Sequence, residues 1–319
     1  MTSALANISD PTPAALAKAA RLLREGKLVA FPTETVYGLG ANAMNDDAVV
    51  SIFTAKGRPQ FNPLIVHVEN LAAAELLGHF NEMGRDLARA FWPGPLTLVV
   101  PRKPSDISWL ATAGLETIAL RCPSHPVAQS LLSAFKGPIA APSANASGSV
   151  SSTSAQHVAE SLGHNVDLIL DGGNTNLGLE STIIGLIETQ PTLLRPGAIA
   201  REVIEARIGP LAVALDHETA PHSPGRLKRH YATTKPLRLN ATSVGSTEDL
   251  LAFGAPLPGA ADTLNLSRSS DLNEAARNLF AMLRRLDKSN ASAIAVMPIP
   301  TLGLGEAIND RLQRAAVRE

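Results

Sequence analysis

"KLVAFPTETVYGLG", residues 27–40, passes from an apolar run that reads as a buried strand into a stretch that a central strand cannot simply continue. Pro32 removes a backbone donor where a central strand would need one. Thr33, Thr35 and Tyr37 then supply hydroxyls, Glu34 a carboxylate, and Gly38 and Gly40 close the stretch. Two readings fit: a strand ending in a turn, or a lip of backbone and hydroxyls shaped around a small polar ligand.

The surrounding chain sets this strand in an α/β fold. Before it, residues 13–25 have helical apolar spacing, with Thr12 as N-cap, Pro13 at N1 and Gly26 past the end. After it come a strand over 36–41, a helix over 46–56, strand "PLIVHV" at 63–68 and helices near 70–78 and 82–91. "LTLVVP" and "TIALR" read as strands, 124–135 as a helix, and "GPIAAPSAN" as a strand entering a polar turn. A helix near 153–162, strands "DLILDGG", "STIIGLIE" and "PTLLRPG", and a helix near 200–207 follow. Strands and helices interleave, as in α/β layers, but several strand pairs lack a helix between them, so the sheet is expected to be mixed.

A length of 319 residues suggests two domains. The divisions expected are 1–209, a segment 210–235 with few periodic apolar positions and a local basic cluster, and 236–319. The last part reads as a small α/β unit of Rossmann-like character: strand "PLRLN", a helix after "STEDL", strand "DTLNLS", helix 271–287, strand "SAIAVMPIP" and helix 303–318.

A hydrophobic content of 45% supports a sizeable core, and a net charge of −1 gives no general basic field for long nucleic acids. Cys122, the single cysteine, excludes a disulfide framework and zinc sites built from several thiolates, and it reads as a small buried hydrophobe. The first ten residues resemble no secretory leader and no apolar run has spanning length, which points to a cytoplasmic protein without membrane contact.

Walker A, G-x-G-x-x-G, H-E-x-x-H and G-x-S-x-G motifs are all missing. Any nucleotide phosphates must therefore meet dispersed cations and backbone N–H groups. In "KGRPQFNPL", residues 56–64, a helix stop accounts for Lys56, Gly57 and Pro59 but not for Arg58 and Asn62. "APSAN", residues 141–145, is a turn leaving a strand, and it runs on into "ASGSVSSTS", where hydroxyls and amides crowd a helix start. Arg121 and Arg195 end apolar strands and, with Arg58, suggest one anionic target, because an arginine buried without a carboxylate is costly. His67 in "LIVHV" reads as a core histidine, and Ser181 and Thr182 as an ordinary strand start. "SPGRLKRHYATTKP" reads either as a solvated basic linker or as a loop that folds over a nucleotide.

Taken in order, "FPTETVYGLG", "KGRPQFNPL", "TIALRCP", "APSANASG", "LESTI", "LLRPGAI" and "SPGRLKRHYA" make the first domain resemble the YrdC-like family. The whole chain is similar to its long, two-domain threonylcarbamoyl-AMP synthases, with departures only at "PQF" and "ATTKP". The resemblance implies an open, twisted, mixed sheet flanked by helices, followed by a small Rossmann-like α/β domain. It implies a nucleotidyltransferase that makes L-threonylcarbamoyladenylate and pyrophosphate from L-threonine, bicarbonate (or carbon dioxide) and ATP with Mg2+. The product then serves a separate tRNA threonylcarbamoyl transferase complex, and direct contact with tRNA stays open.

Carried over by position, Thr35, His67, Arg121, Ala141 and Ser181 would hold threonine, and no protein metal ligand is implied. Arg58, Asn62, Thr117, Ser143, Asn145, Ser151, Arg195 and Tyr231 would hold ATP, with Lys56, Arg58 and Arg195 facing the reacting phosphates. Glu34 receives no role. A non-catalytic module for structured RNA is the main alternative, which scarce aromatics (4%) disfavour. Carbamoyl transfer in metal-centre maturation is disfavoured by the lone cysteine.

Overall fold

The computed structural model describes residues 7–59, 61–213 and 230–317. Gln60 and the basic cluster at 226–229 lie outside the described residues.

The large sheet contains β1 (Ile8–Ser9), β2 (Val29–Pro32), β3 (Tyr37–Asn42), β4 (Ile65–His67), β5 (Leu96–Pro101) and β6 (Thr117–Arg121). It continues with β7 (Ile139–Ala140), β8 (Leu168–Leu170), β9 (Thr182–Gly185), β10 (Thr192–Arg195) and β11 (Ala212–Val213). Their order is β1-β8-β2-β3-β7-β4-β6-β5-β9-β10-β11. The sheet is mixed, as the sequence suggested: β4/β6 and β5/β9 pair parallel, while β2/β3 and β5/β6 pair antiparallel. β11 pairs with β10, so the sheet extends past residue 209 into the segment expected to be a linker.

Around it lie α1 (Pro13–Arg24), α2 (Asp46–Lys56), α3 (Leu71–Leu77), α4 (Glu82–Phe91), α5 (Pro126–Phe135), α6 (Ala155–Leu162) and α7 (Arg201–Ile208). Local chemistry sets their ends. Thr12 accepts from the Ala15 N–H at 3.2 Å to start α1, and Asn45 accepts from that of Ala48 at 3.0 Å to start α2. Gly57, in the left-handed region at φ 60°, stops α2 where the sequence placed a stop, and the turn brings Lys56 and Arg58 to the sheet. One face of the sheet packs on α1 and α5 through Phe31, Leu23 and Leu131; the other buries Tyr37, Ile52, Leu64 and Leu98.

The smaller sheet contains β12 (Leu237–Arg238), β13 (Glu248–Ala252), β14 (Thr263–Asn265) and β15 (Ala293–Val296), all parallel in the order β12-β15-β13-β14. α8 (Leu272–Asp287) and α9 (Leu304–Ala316) complete this unit. The helix expected after "STEDL" is not there: residues 248–252 form the central strand β13. Gly254 at φ 74°, followed by Pro256 and Pro258, denies the segment the length a helix would need.

The two units share interior. Val36, Val150, Leu179 and Tyr231 pack into the same apolar cluster as Phe280, Leu283 and Leu312. The approach is closest at Gly178 (φ 70°), where an added Cβ would lie 2.5 Å from Arg277 Cα on α8. Gly178→Ala is therefore expected to lose about 1–3 kcal/mol by forcing the backbones apart and straining a left-handed residue. An unchanged urea midpoint would show that α8 can retreat freely.

Candidate active site

The opening stretch folds as a hairpin whose closing pair is Pro32–Tyr37, with residues 33–36 as its turn. Thr33 holds the turn together: its hydroxyl donates to the Val36 carbonyl at 2.7 Å and accepts from the Thr35 and Val36 N–H groups. The Thr35 hydroxyl lies 2.7 Å from that of Thr33. Tyr37 reaches the other way, donating to the Gly173 carbonyl at 2.7 Å and accepting from the Gly172 N–H.

Every residue from Val29 to Ala41 is buried, so the Glu34 carboxylate in the turn needs a partner. It finds one 87 positions away, where Arg121 Nη2 donates to Glu34 Oε1 at 2.7 Å; the Ser124 N–H reaches Oε2 at 3.0 Å. Burial alone would raise the Glu34 carboxyl, but the Arg121 charge and these hydrogen bonds take it below the usual carboxylate range. This corrects the sequence reading of Arg121 as an arginine lacking a protein carboxylate.

Arg58, His67, Arg121, Ala141, Ser143, Ser181, Arg195 and Tyr231 converge on one cavity, joined by Thr33, Tyr37, Glu180 and His230. Strand and helix ends place them. His67 and Arg121 end the paired strands β4 and β6, Arg195 ends β10, and Ser181 precedes β9. Arg58 donates to the carbonyls of Asn62 (3.3 Å) and Pro63 (3.0 Å), and burial and the nearby Arg195 push its guanidinium down to about 10. Lys56, fully buried, donates to the carbonyls of Ser143 and Asn145 and is held well below the ordinary lysine range by burial and by Arg58. Arg195 donates to the Ser181 carbonyl at 2.9 Å and to its hydroxyl at 3.2 Å, and that hydroxyl also meets Thr97 Oγ1 at 2.7 Å.

Other expected residues stand behind the cavity or away from it. Thr35 is buried within the turn and Thr117 starts β6 at the end opposite Arg121; neither lines the cavity. Ser151 is also buried, and its hydroxyl donates to Glu180 Oε1 at 2.6 Å. Asn145 donates to the carbonyls of Ala146 and Ser149. Several buried polar groups in and behind the cavity have no hydrogen-bond partner among the described residues, including both ends of the Asn62 amide, Asn145 Oδ1, His67 Nδ1, His230 Nδ1, the Tyr231 hydroxyl and Arg311 Nη2. Such groups mark places that a ligand or water completes.

Glu180 was assigned no role from the sequence, since it needs distant neighbours to acquire meaning; His230 lies in the stretch read as a loop that folds over a nucleotide, without a role of its own. Burial would raise the Glu180 carboxyl, yet Arg311 and Arg195 bring it down to about 2. Burial, with Arg121 beside one ring and a cluster of cations around the other, drives His67 and His230 down to about 3, so both are neutral. With Lys56 behind the wall, the site holds four buried cations against Glu34 and Glu180 and therefore favours an anion.

The family model described as "Telomere recombination" matches residues 21–197, and the one described as "Threonylcarbamoyl-AMP synthase, C-terminal domain" matches residues 199–317. A threonylcarbamoyl-AMP synthase of Bacillus subtilis (strain 168) is 44% identical over 320 residues, covering 94% of this chain and 92% of the relative. The chain belongs to the threonylcarbamoyl-AMP synthase family. The crystal structure of Pyrococcus abyssi Sua5 complexed with L-threonine superposes with a TM-score of 0.90 at 38% identity, over 97% of this chain and 96% of that one. A variant of the same protein, with a histidine and the tyrosine after it changed to alanine, gives a TM-score of 0.88 at 38% identity, over 94% and 92% of the two chains. Within the synthase family, then, the likeness extends through both sheets.

The neutral histidines set a pH dependence. As pH falls from 6.5 towards 3, the unfolded chain takes up protons at positions 67 and 230 that the folded one refuses. Stability should fall over that window by roughly 1.4 kcal/mol per pH unit for each histidine. Denaturant titrations between pH 7 and 5 check this, and a flat profile would mean that the rings are charged in the fold.

Proposed function

We infer that this protein synthesises L-threonylcarbamoyladenylate from L-threonine, bicarbonate and ATP, with release of pyrophosphate. The observation that carries the reading is the likeness to threonylcarbamoyl-AMP synthases, which spans both domains and more than nine-tenths of each chain. The same likeness favours the enzyme over a non-catalytic RNA-binding module.

The cavity supports a division of labour. At one end Arg121, Glu34 and His67 form a nearly neutral patch suited to an amino-acid zwitterion: the guanidinium fork matches a carboxylate, and neutral His67 offers Nδ1. A ring that titrates near 3 accepts a hydrogen bond at neutral pH and does not keep a proton, so it orients threonine without acting as a strong base. Ala141 and Ser181 border this end, with Thr35 supporting it from within the turn. At the other end Arg58 and Arg195, with Lys56 behind them, suit the triphosphate, and the unpartnered Asn62 amide and Asn145 Oδ1 suit nucleotide polar atoms. Ser143, Ser151 and Tyr231 complete this side. Thr117, at the far end of β6, would reach ATP only if the nucleotide extends along that strand.

The threonine amine takes up the carbon of bicarbonate to form a carbamate, with loss of water. A carbamate oxygen then attacks the α-phosphorus, and the bond to the bridging oxygen breaks as pyrophosphate leaves. The carbamate is a weak nucleophile that reverts readily in water, so the chain contributes by alignment, water exclusion and charge neutralisation. Mg2+ would come with ATP and supply shielding of the phosphate charge, with no protein group assigned to hold it. The donor set fits that arrangement, since Glu34 and Glu180 are engaged by Arg121 and Arg311. The product passes to a tRNA threonylcarbamoyl transferase complex in the cytoplasm.

Pyrophosphate release should require threonine and bicarbonate together; turnover of ATP that ignores threonine would overturn the assignment. Arg58→Ala should lower kcat/KM by about 10²–10³-fold, equivalent to about 2–4 kcal/mol of transition-state stabilisation. An unchanged kcat/KM would place Arg58 outside the reaction.

A further inference from the structure

The C-terminal helices reach into the wall of the cavity. Arg311, on α9, is completely buried, and its Nε donates to Glu180 Oε2 at 3.0 Å. Its Nη1 donates to Asp310 at 2.7 Å, and its guanidinium carbon lies 5.4 Å from the centre of the Tyr231 ring. Phe280 of α8 also stacks on Tyr231, at 5.3 Å with an interplanar angle of 21°. A third contact comes from Arg284 of α8, which donates to the carbonyls of Val150 and Ser151.

We propose that Arg311 is a positioning residue for the nucleotide end of the cavity, acting through Glu180 and Tyr231. Both of these line the cavity; Arg311 does not. Glu180 occupies a point where its partner matters, because it holds the Ser151 hydroxyl and precedes Ser181, whose carbonyl and hydroxyl anchor Arg195. A buried carboxylate cannot stay unpaired. While Arg311 satisfies it, Arg195 keeps its place on Ser181. Without Arg311, the next cation within electrostatic reach of Glu180 is Arg195, and the carboxylate would draw it out of register with the phosphates. The same loss removes the cation over Tyr231, whose ring also lies within the electrostatic reach of Arg58 and Arg195. The Arg121–Glu34 pair shares none of these contacts, and the Ser181 hydroxyl at the threonine end is held by Thr97 as well as by Arg195, so the effect falls mainly on ATP. The C-terminal domain thus supplies part of the active-site framework.

This inference rests on the synthase reading, and steady-state kinetics of the full-length chain separate the two. Wild-type protein that releases no threonine-dependent pyrophosphate defeats the reading itself. If wild type is active, Arg311→Met should raise KM for ATP about tenfold and move KM for threonine less than twofold. Adding Glu180→Gln to that variant removes the unpaired charge while an amide oxygen still accepts from Ser151, and should bring KM for ATP back to within about threefold of wild type. A purely structural role predicts the reverse, with the double variant no better than the single one, and that result would overturn the proposal. So would equal shifts in both KM values, or none. If Arg311→Met fails to fold, Arg311→Lys carries the test: a rise of about threefold to fivefold in KM for ATP, with less than twofold for threonine, supports positioning, and any other pattern rejects it.

Discussion

Burying four cations around one cavity is the constraint from which most of this architecture follows. Lys56, Arg58, Arg121 and Arg195 are nearly excluded from solvent, and each unpaired charge in such a setting would cost several kcal/mol. Much of the compensation comes from carbonyls at chain ends and turns: Ser143 and Asn145 for Lys56, Asn62 and Pro63 for Arg58, Ser181 for Arg195. Carbonyl dipoles orient a cation without cancelling it, which leaves a field for an anionic ligand. Arg121 has a directly bonded carboxylate in Glu34, and that end of the cavity is correspondingly mild.

The fold supplies those carbonyls by ending many elements at the same place. β4, β6 and β10 stop there, α2 is halted there by Gly57, and the tight hairpin between β2 and β3 closes over them. Ligands in open α/β sheets gather outside strand ends for the same reason: backbone groups that leave the ladder must be satisfied by something else.

Much of this was legible in the sequence. Caps and stops at Thr12, Asn45 and Gly57 are local chemistry, so the helix boundaries they set could be read directly. Arg58, Arg121 and Arg195 stood out as cations at the ends of apolar runs, and the structure brings them to one cavity. Glu34 and Glu180 could not be assigned, because their meaning lies in partners 87 and 131 positions away. The segment after "STEDL" misled because its short apolar run suits a helix start as well as a buried strand; its place between β14 and β15 decided the matter. Thr35, expected to touch threonine, is a buried residue of the hairpin turn whose hydroxyl meets that of Thr33.

The shared apolar cluster also bears on how the chain comes into being. Val36, Val150 and Leu179 belong to the part synthesised first, whereas Phe280, Leu283 and Leu312 emerge about a hundred residues later. At about 5–20 residues per second, the nascent first domain waits roughly 5–20 s with that patch uncovered. Its surface is interior only in retrospect, and for this interval the half-made protein exposes apolar side chains that α8 and α9 cover when they arrive.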